Sequence, residues 1–226
     1  MNIMAIGPHP DDVEIGMGGT ILALRAQGHT VTICDLTNGE PTPIGSPERR
    51  IREATEAAAL LGVERITLDL PNRYLVDSIE NRTTVASIIR QVRPEVLFVP
   101  YWVDAHPDHV AAAALAEAAR FYGKLTHTTM PGEPFYPRRV FHFLSSHYRL
   151  HIQPALVFDI SDYFEVKMRA VGAYTSQFGP ARGNEWIFDA IRAENHYFGT
   201  LVGAQYGEPF ASRELVGLRG LDHLLI

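Results

Sequence analysis

Short apolar runs alternate along the chain with longer stretches in which apolar positions recur every three or four residues. The runs "NIMAIG" at 2–7, "TVTICDLT" at 30–37, "RITLDL" at 65–70, "EVLFVPY" at 95–101, "RRVFHFL" at 138–144 and "ALVFDI" at 155–160 are β-rich and predict strands. Between them, "GTILALRAQG", "SPERRIREATEAAALLG", "DSIENRTTVASIIRQVRP" and "PDHVAAAALAEAARFYG" carry helical spacing, alanine-rich faces and glycine or proline stops. Continuous apolar strands alternating with helices imply parallel strands covered on both faces, hence an α/β fold. Beyond residue 160 the segments "SDYFEVKMRAVGAYTSQF" and "NEWIFDAIRAENHYFGTLVG" predict a mainly helical C-terminal region.

In such a doubly wound, mostly parallel, Rossmann-like sheet, ligands bind beyond the carboxyl ends of the strands. Two acidic-histidine clusters fall at such ends: "PHPDDVE" directly after the first run and "DAHPDH" directly after "EVLFVPY". A length of 226 residues gives one sizeable core, and a prior of about 150 residues per domain does not force a second, so one domain over 1–226 is expected.

The net charge of −6, with no basic stripe, argues against a nucleic-acid surface, although a local pocket can still take an anionic small molecule. The single cysteine, Cys34, lies in the apolar run "TVTICDL" and is expected to be buried as a small hydrophobe. The N-terminal apolar run lacks a basic leader and no later run is long enough to span a bilayer. A cytoplasmic protein without membrane contact is expected.

His9 and Asp12 are three apart on a turn leaving the first strand, with Asp11 between them able to aim elsewhere in the same pocket. Neutral nitrogen and anionic oxygen donors suit a borderline cation such as zinc, and a spare carboxylate can take a proton from water. A plainer account has Asp11 or Asp12 capping a helix that begins near Gly18, with His9 a polar loop residue. The second cluster repeats the pattern: His106 and His109 are three apart, with Pro107 suited to a first helical turn and Asp108 favourable at a helix N-terminus. Two His-Pro-Asp clusters at strand exits are hard to explain as independent caps, and a cation with one open position needs about three protein ligands.

"PHPDDVEIGMGGT" with "HPDH" resembles the LmbE-like, or PIG-L, family of zinc-dependent N-acetylglucosaminyl deacetylases. The similarity continues through "CDLTNGE", "RRIREATEAAALLG", "LPNR", "PYWVDAHPDH", "DISDYFEVKMRAVGAYTSQF" and "YGEPF", and those outer stretches look closest to the bacillithiol-pathway branch, which deacetylates N-acetylglucosaminyl malate. The resemblance implies that His9, Asp12 and His109 bind one zinc ion per chain and that Asp11 is the general base. It implies that His106 stabilises the oxyanion or protonates the leaving amine, with Asp108 orienting and charging it. Arg50 is implied at the sugar hydroxyls, although a solvated pairing with Glu53 accounts for it equally well, and Arg73 is a candidate for the sugar or the malate carboxylates. Relatives in this branch tend to form homo-oligomers, often hexamers. Glu14 belongs to the motif without an assigned task, as does "YTSQF". Where mycothiol-branch relatives carry a carbonyl-polarising tyrosine this chain has Asp104, an anion that cannot do that work, so the oxyanion is expected to rest on zinc and His106.

Three alternatives remain at this level. "GMGGT" between a strand and a helix, with Asp35 ending the second strand, fits a nucleotide-binding turn, although three carboxylates would then sit where a pyrophosphate rests. The glycines more simply allow close packing of the first helix on the sheet. Two-metal phosphoester hydrolysis keeps the metal but needs more ligands than the sequence offers, and a broader deacetylase would act on chito-oligomers or glucosaminyl-thiol conjugates. The remaining histidines, His29, His127, His142, His147, His151, His196 and His223, read as structural or surface residues.

Overall fold

The computed structural model describes residues 1–217, so His223 lies outside the described residues. The expected strands form as β1 (Asn2–Gly7), β2 (Thr30–Asp35), β3 (Glu64–Thr67), β4 (Val96–Pro100), β5 (Arg139–Phe143) and β6 (Leu156–Asp159), joined by an unexpected β7 (Gly207–Ala211). The helices are α1 (Asp12–Ala26), α2 (Pro47–Leu61), α3 (Ile79–Val92), α4 (Pro107–Gly123), α5 (Phe164–Gly172), the short α6 (Thr175–Phe178) and α7 (Trp186–Val202).

The seven strands form one sheet in the order β3-β2-β1-β4-β5-β7-β6. The first five run parallel, and β7 lies antiparallel between β5 and β6. Strand alternation sends successive side chains to opposite faces. Ile3 and Ala5 pack with Val13, Met17, Ile21, Ala57 and Leu61 of α1 and α2, while Met4 and Ile6 pack with Val85, Ile89, Ala112 and Ala116 of α3 and α4. Cys34 is fully buried in the second layer, where burial pushes its thiol pKa up. The chain order reverses between β1 and β4, and because Ala5 pairs with Phe98, Gly7 and Pro100 leave the sheet at the same level. That reversal is where open α/β sheets hold ligands.

Two expectations need correction. The first helix begins at Asp12, not near Gly18, and the irregular backbone at Met17 (φ −152°, ψ 21°) marks a kink inside it. Glycines at this kink let α1 lie close to its neighbours: a Cβ on Gly16 would collide with the Phe143 ring, and one on Gly19 would come within 2.7 Å of Ile160. The tail is mainly helical, as its pattern suggests, but it also holds an unexpected strand, because "GEPFA" becomes β7. Its Gly and Pro hide it from propensity, yet all five residues are buried. Glu208 supplies the reason: its carboxylate accepts the Gly19 and Thr20 N–H groups of α1 at 3.0 and 2.6 Å and pairs with the buried Lys167 at 2.7 Å.

Candidate active site

The turn after β1 projects His9, Asp11 and Asp12, and the turn after β4 projects Asp104, His106, Asp108 and His109. Asp11 adopts φ 117°, a region that ordinarily favours glycine, and makes no side-chain capping bond to α1. The capping account of the first cluster therefore fails. In the second, Pro107 opens α4 and His106 is the cap, its Nδ1 accepting the Asp108 N–H at 3.1 Å. This leaves the proton of the neutral His106 ring on Nε2.

Three donors converge: one ligand atom each from His9, Asp12 and His109 lies within 4.8 Å of the others. His9 turns Nδ1 toward Asp12 Oδ2 at 3.2 Å and Nε2 toward Asp108 Oδ2 at 3.1 Å. His109 turns Nε2 toward Asp12 Oδ1 at 3.3 Å and Nδ1 toward Asp104 Oδ2 at 2.9 Å. Each imidazole is thus held from outside by a carboxylate while its other nitrogen faces the same third donor, the arrangement by which proteins orient histidines for a metal. Ser145 donates to Asp12 Oδ1 at 2.7 Å and fixes that carboxylate in turn. Burial alone would lower the His9 pKa, but hydrogen bonds to Asp108 and Asp12 outweigh it and raise it to about 10. A positive charge is therefore favoured at this point of the fold, and the nitrogen and oxygen donor set fits zinc. The other groupings of possible ligands, His9 with His106 and Asp108, and Asp104 with His109 and His147, each reuse a histidine of the first. Among the described residues the cluster thus offers one independent site of this kind.

Asp11 stands apart from the three donors. Both terminal nitrogens of Arg50 reach its Oδ2, at 3.4 and 3.3 Å, and Arg50 also donates to the Pro10 carbonyl. Burial pushes the Asp11 carboxyl up to about 7, with Arg50 pulling the other way. Asp12 is held below the usual carboxylate range although burial opposes it, because His109 and His9 favour its charge.

Several expected contacts are redirected. The Asp108 carboxylate does not reach His106; it accepts from His9 and from the Arg73 and Leu75 N–H groups at 2.6 and 3.2 Å. Burial, then His9 and His109, lower the His106 pKa, and Asp108 pulls the other way without outweighing them. Arg50 does not pair with Glu53, which is taken by Arg49 and by Ser176 and Thr175 of "YTSQF". Arg73 lines the cavity in front of the cluster, but its guanidinium donates to the Pro41 carbonyl at 2.7 Å. Glu14 supports the loop from behind, accepting from Arg65 at 2.6 Å and from the Tyr174 hydroxyl at 2.9 Å. Asp35, the ribose candidate of the nucleotide reading, is fully buried and binds Arg65 at 2.6 and 2.8 Å. With the glycines filled by packing as well, a nucleotide turn is ruled out.

Sequence reasoning missed His147 and Ser145. His147 turns Nδ1 to Asp104 Oδ1 at 3.3 Å and its ring lies 4.9 Å from His109. Both follow β5, the strand beside β4, and the one available signal was the polar "SSH" at a strand exit. A cavity of about 940 Å³ opens in front of the cluster, bounded by the loop 144–152, the segment 177–187 and α7.

A doubly wound sheet with histidines and carboxylates gathered at its switch point, one carboxylate left over and a deep cavity before them, defines a hydrolytic enzyme of the α/β class. The chain belongs to the PIG-L family: the model described as GlcNAc-PI de-N-acetylase matches residues 4–120. It is 33% identical over 221 residues to a diacetylchitobiose deacetylase of Thermococcus kodakarensis, covering 91% of this chain and 80% of that one. It is 27% identical to a probable N-acetyl-α-D-glucosaminyl L-malate deacetylase 2 of Bacillus cereus, with 78% and 83% covered. A crystal structure of a conserved protein from Thermus thermophilus superposes with a TM-score of 0.89 at 36% identity, covering 96% of this chain and 97% of that one. The enzyme class is deacetylase.

Proposed function

We propose that the enzyme hydrolyses the acetamide of an N-acetylglucosaminyl conjugate to acetate and a free amine, with His9, Asp12 and His109 holding a divalent cation, zinc first among the candidates. The observation that carries this reading is the meeting of the two strand-exit loops around Asp12, with Asp11 beside the three donors and outside them. The cation supplies Lewis acidity for the attack of water on the carbonyl. Asp11 takes the proton of that water; Arg50 fixes its Oδ2, which leaves Oδ1 for the transfer. His106, neutral with its proton on Nε2, donates a hydrogen bond to the developing oxyanion, and Asp11 passes the proton it took from water to the departing nitrogen. Asp108 and Asp104 keep the two imidazoles aimed.

The aglycone we favour is malate, supported by the 27% identical relative and by the arginines around the cavity. A second reading, a chito-oligosaccharide, is favoured by the 33% identical relative. An acetate-release screen across N-acetylglucosaminyl malate, N-acetylglucosamine and short chito-oligomers separates them, and absence of acetate from all three would reject the reaction itself. We also propose a homo-oligomer, by likeness to the family, for which light scattering is the check.

A further inference from the structure

Four arginines line the cavity: Arg50, Arg73, Arg149 and Arg182. Arg50 is committed to Asp11 and Pro10, and Arg73 to Pro41. Arg182 differs from both. Its side chain makes no hydrogen bond and no ion pair among the described residues, and its Nε is buried without a partner. A polar group left without a partner in a folded protein calls for an explanation. The one carboxylate on the α7 wall, Glu194, has Lys167 and Glu208 as its electrostatic neighbours, so it does not neutralise Arg182. Beside Arg182 the wall continues through Asn184 to Trp186, an exposed residue that also lines the cavity.

We propose that Arg182 is the specificity-determining residue for the aglycone, its two terminal nitrogens, which no acceptor among the described residues takes, forming the two-pronged clamp for a carboxylate carried by the conjugate beyond the sugar. The guanidinium fork matches carboxylate geometry, which a lysine or an amide does not reproduce. Arg149, exposed and likewise without a side-chain partner among the described residues, adds charge without geometry. Trp186 offers a flat apolar face to the part of the ligand between sugar and acid. This proposal rests on the deacetylase reading above and extends it to the choice of substrate.

The test uses the zinc-loaded protein with three compounds: N-acetylglucosaminyl malate, its uncharged dimethyl ester, and N,N′-diacetylchitobiose. The wild type should prefer the acid to the ester. Arg182→Gln should raise KM for the acid by about tenfold or more, leave kcat close to wild type, and leave the ester and the disaccharide unchanged, which also shows that the variant is folded. Arg182→Lys should recover only part of the loss. Equal treatment of acid and ester by the wild type, or an equal loss for all three compounds in Arg182→Gln, would overturn the clamp. If the wild type releases acetate from none of them, the reaction is wrong, and calorimetric binding of acid against ester to wild type and Arg182→Gln then decides the clamp by itself.

Discussion

His109 turns its Nδ1 toward Asp104 Oδ2 across 2.9 Å, so the aspartate that stands where the resemblance leads one to expect a tyrosine holds an imidazole. The departure is therefore a change of task. Asp104 aims an imidazole and, through the His106 and His147 N–H groups at 2.8 and 3.2 Å, ties two strand-exit loops together. Outer partners of this kind are worth about 10–100-fold in metal affinity. Asp104→Asn should weaken zinc by that factor in competition with a chromogenic chelator, and unchanged affinity would refute the assignment.

Asp11 and His9 should separate chemistry from metal. Asp11→Asn is expected to keep zinc, by elemental analysis, while acetate release falls by about 10²–10⁴. His9→Ala should lose both, and near wild-type turnover in the first variant would remove Asp11 as the base.

Arg50 offers a choice between two tasks. Acting through Asp11, Arg50→Lys lowers kcat and leaves KM nearly unchanged; contacting sugar hydroxyls, it raises KM instead. The contacts of its terminal nitrogens predict the first outcome, which steady-state kinetics reads directly.

Removing the metal should be felt by the whole fold, since the donors come from loops on either side of the switch point. At free zinc near 100 times its dissociation constant, binding adds about 2.7 kcal/mol, or roughly 5–10 °C in midpoint for a chain of this size. Scanning calorimetry before and after chelation measures the shift, and elemental analysis should return one equivalent per chain at this site.

Gly19 faces Ile160, so a methyl group there has nowhere to go. Gly19→Ala should cost about 1–3 kcal/mol by overpacking, read as a lower urea midpoint.

What the sequence made legible follows from how local each signal is. The parallel strands and their helices show because burial on both faces writes continuous apolar runs, and the paired His-Pro-Asp clusters show because each occupies a single turn. The direction of Asp108 toward His9 and the arrival of His147 and Ser145 depend on strand neighbours far apart in the chain. No spacing encodes that. β7 was hidden for a related reason: "GEPFA" is a strand by virtue of the slot between β5 and β6, and its own propensity argues otherwise.

Glu208 carries an implication for biosynthesis. The turn bearing His9, Asp11 and Asp12 is synthesised well before Glu208, yet two amides of the helix behind that turn find their acceptor only in β7. A ribosome must therefore deliver the chain through Glu208 before α1 can settle, and a transcript truncated ahead of this glutamate would yield a product with every proposed ligand present and no firm backing for them.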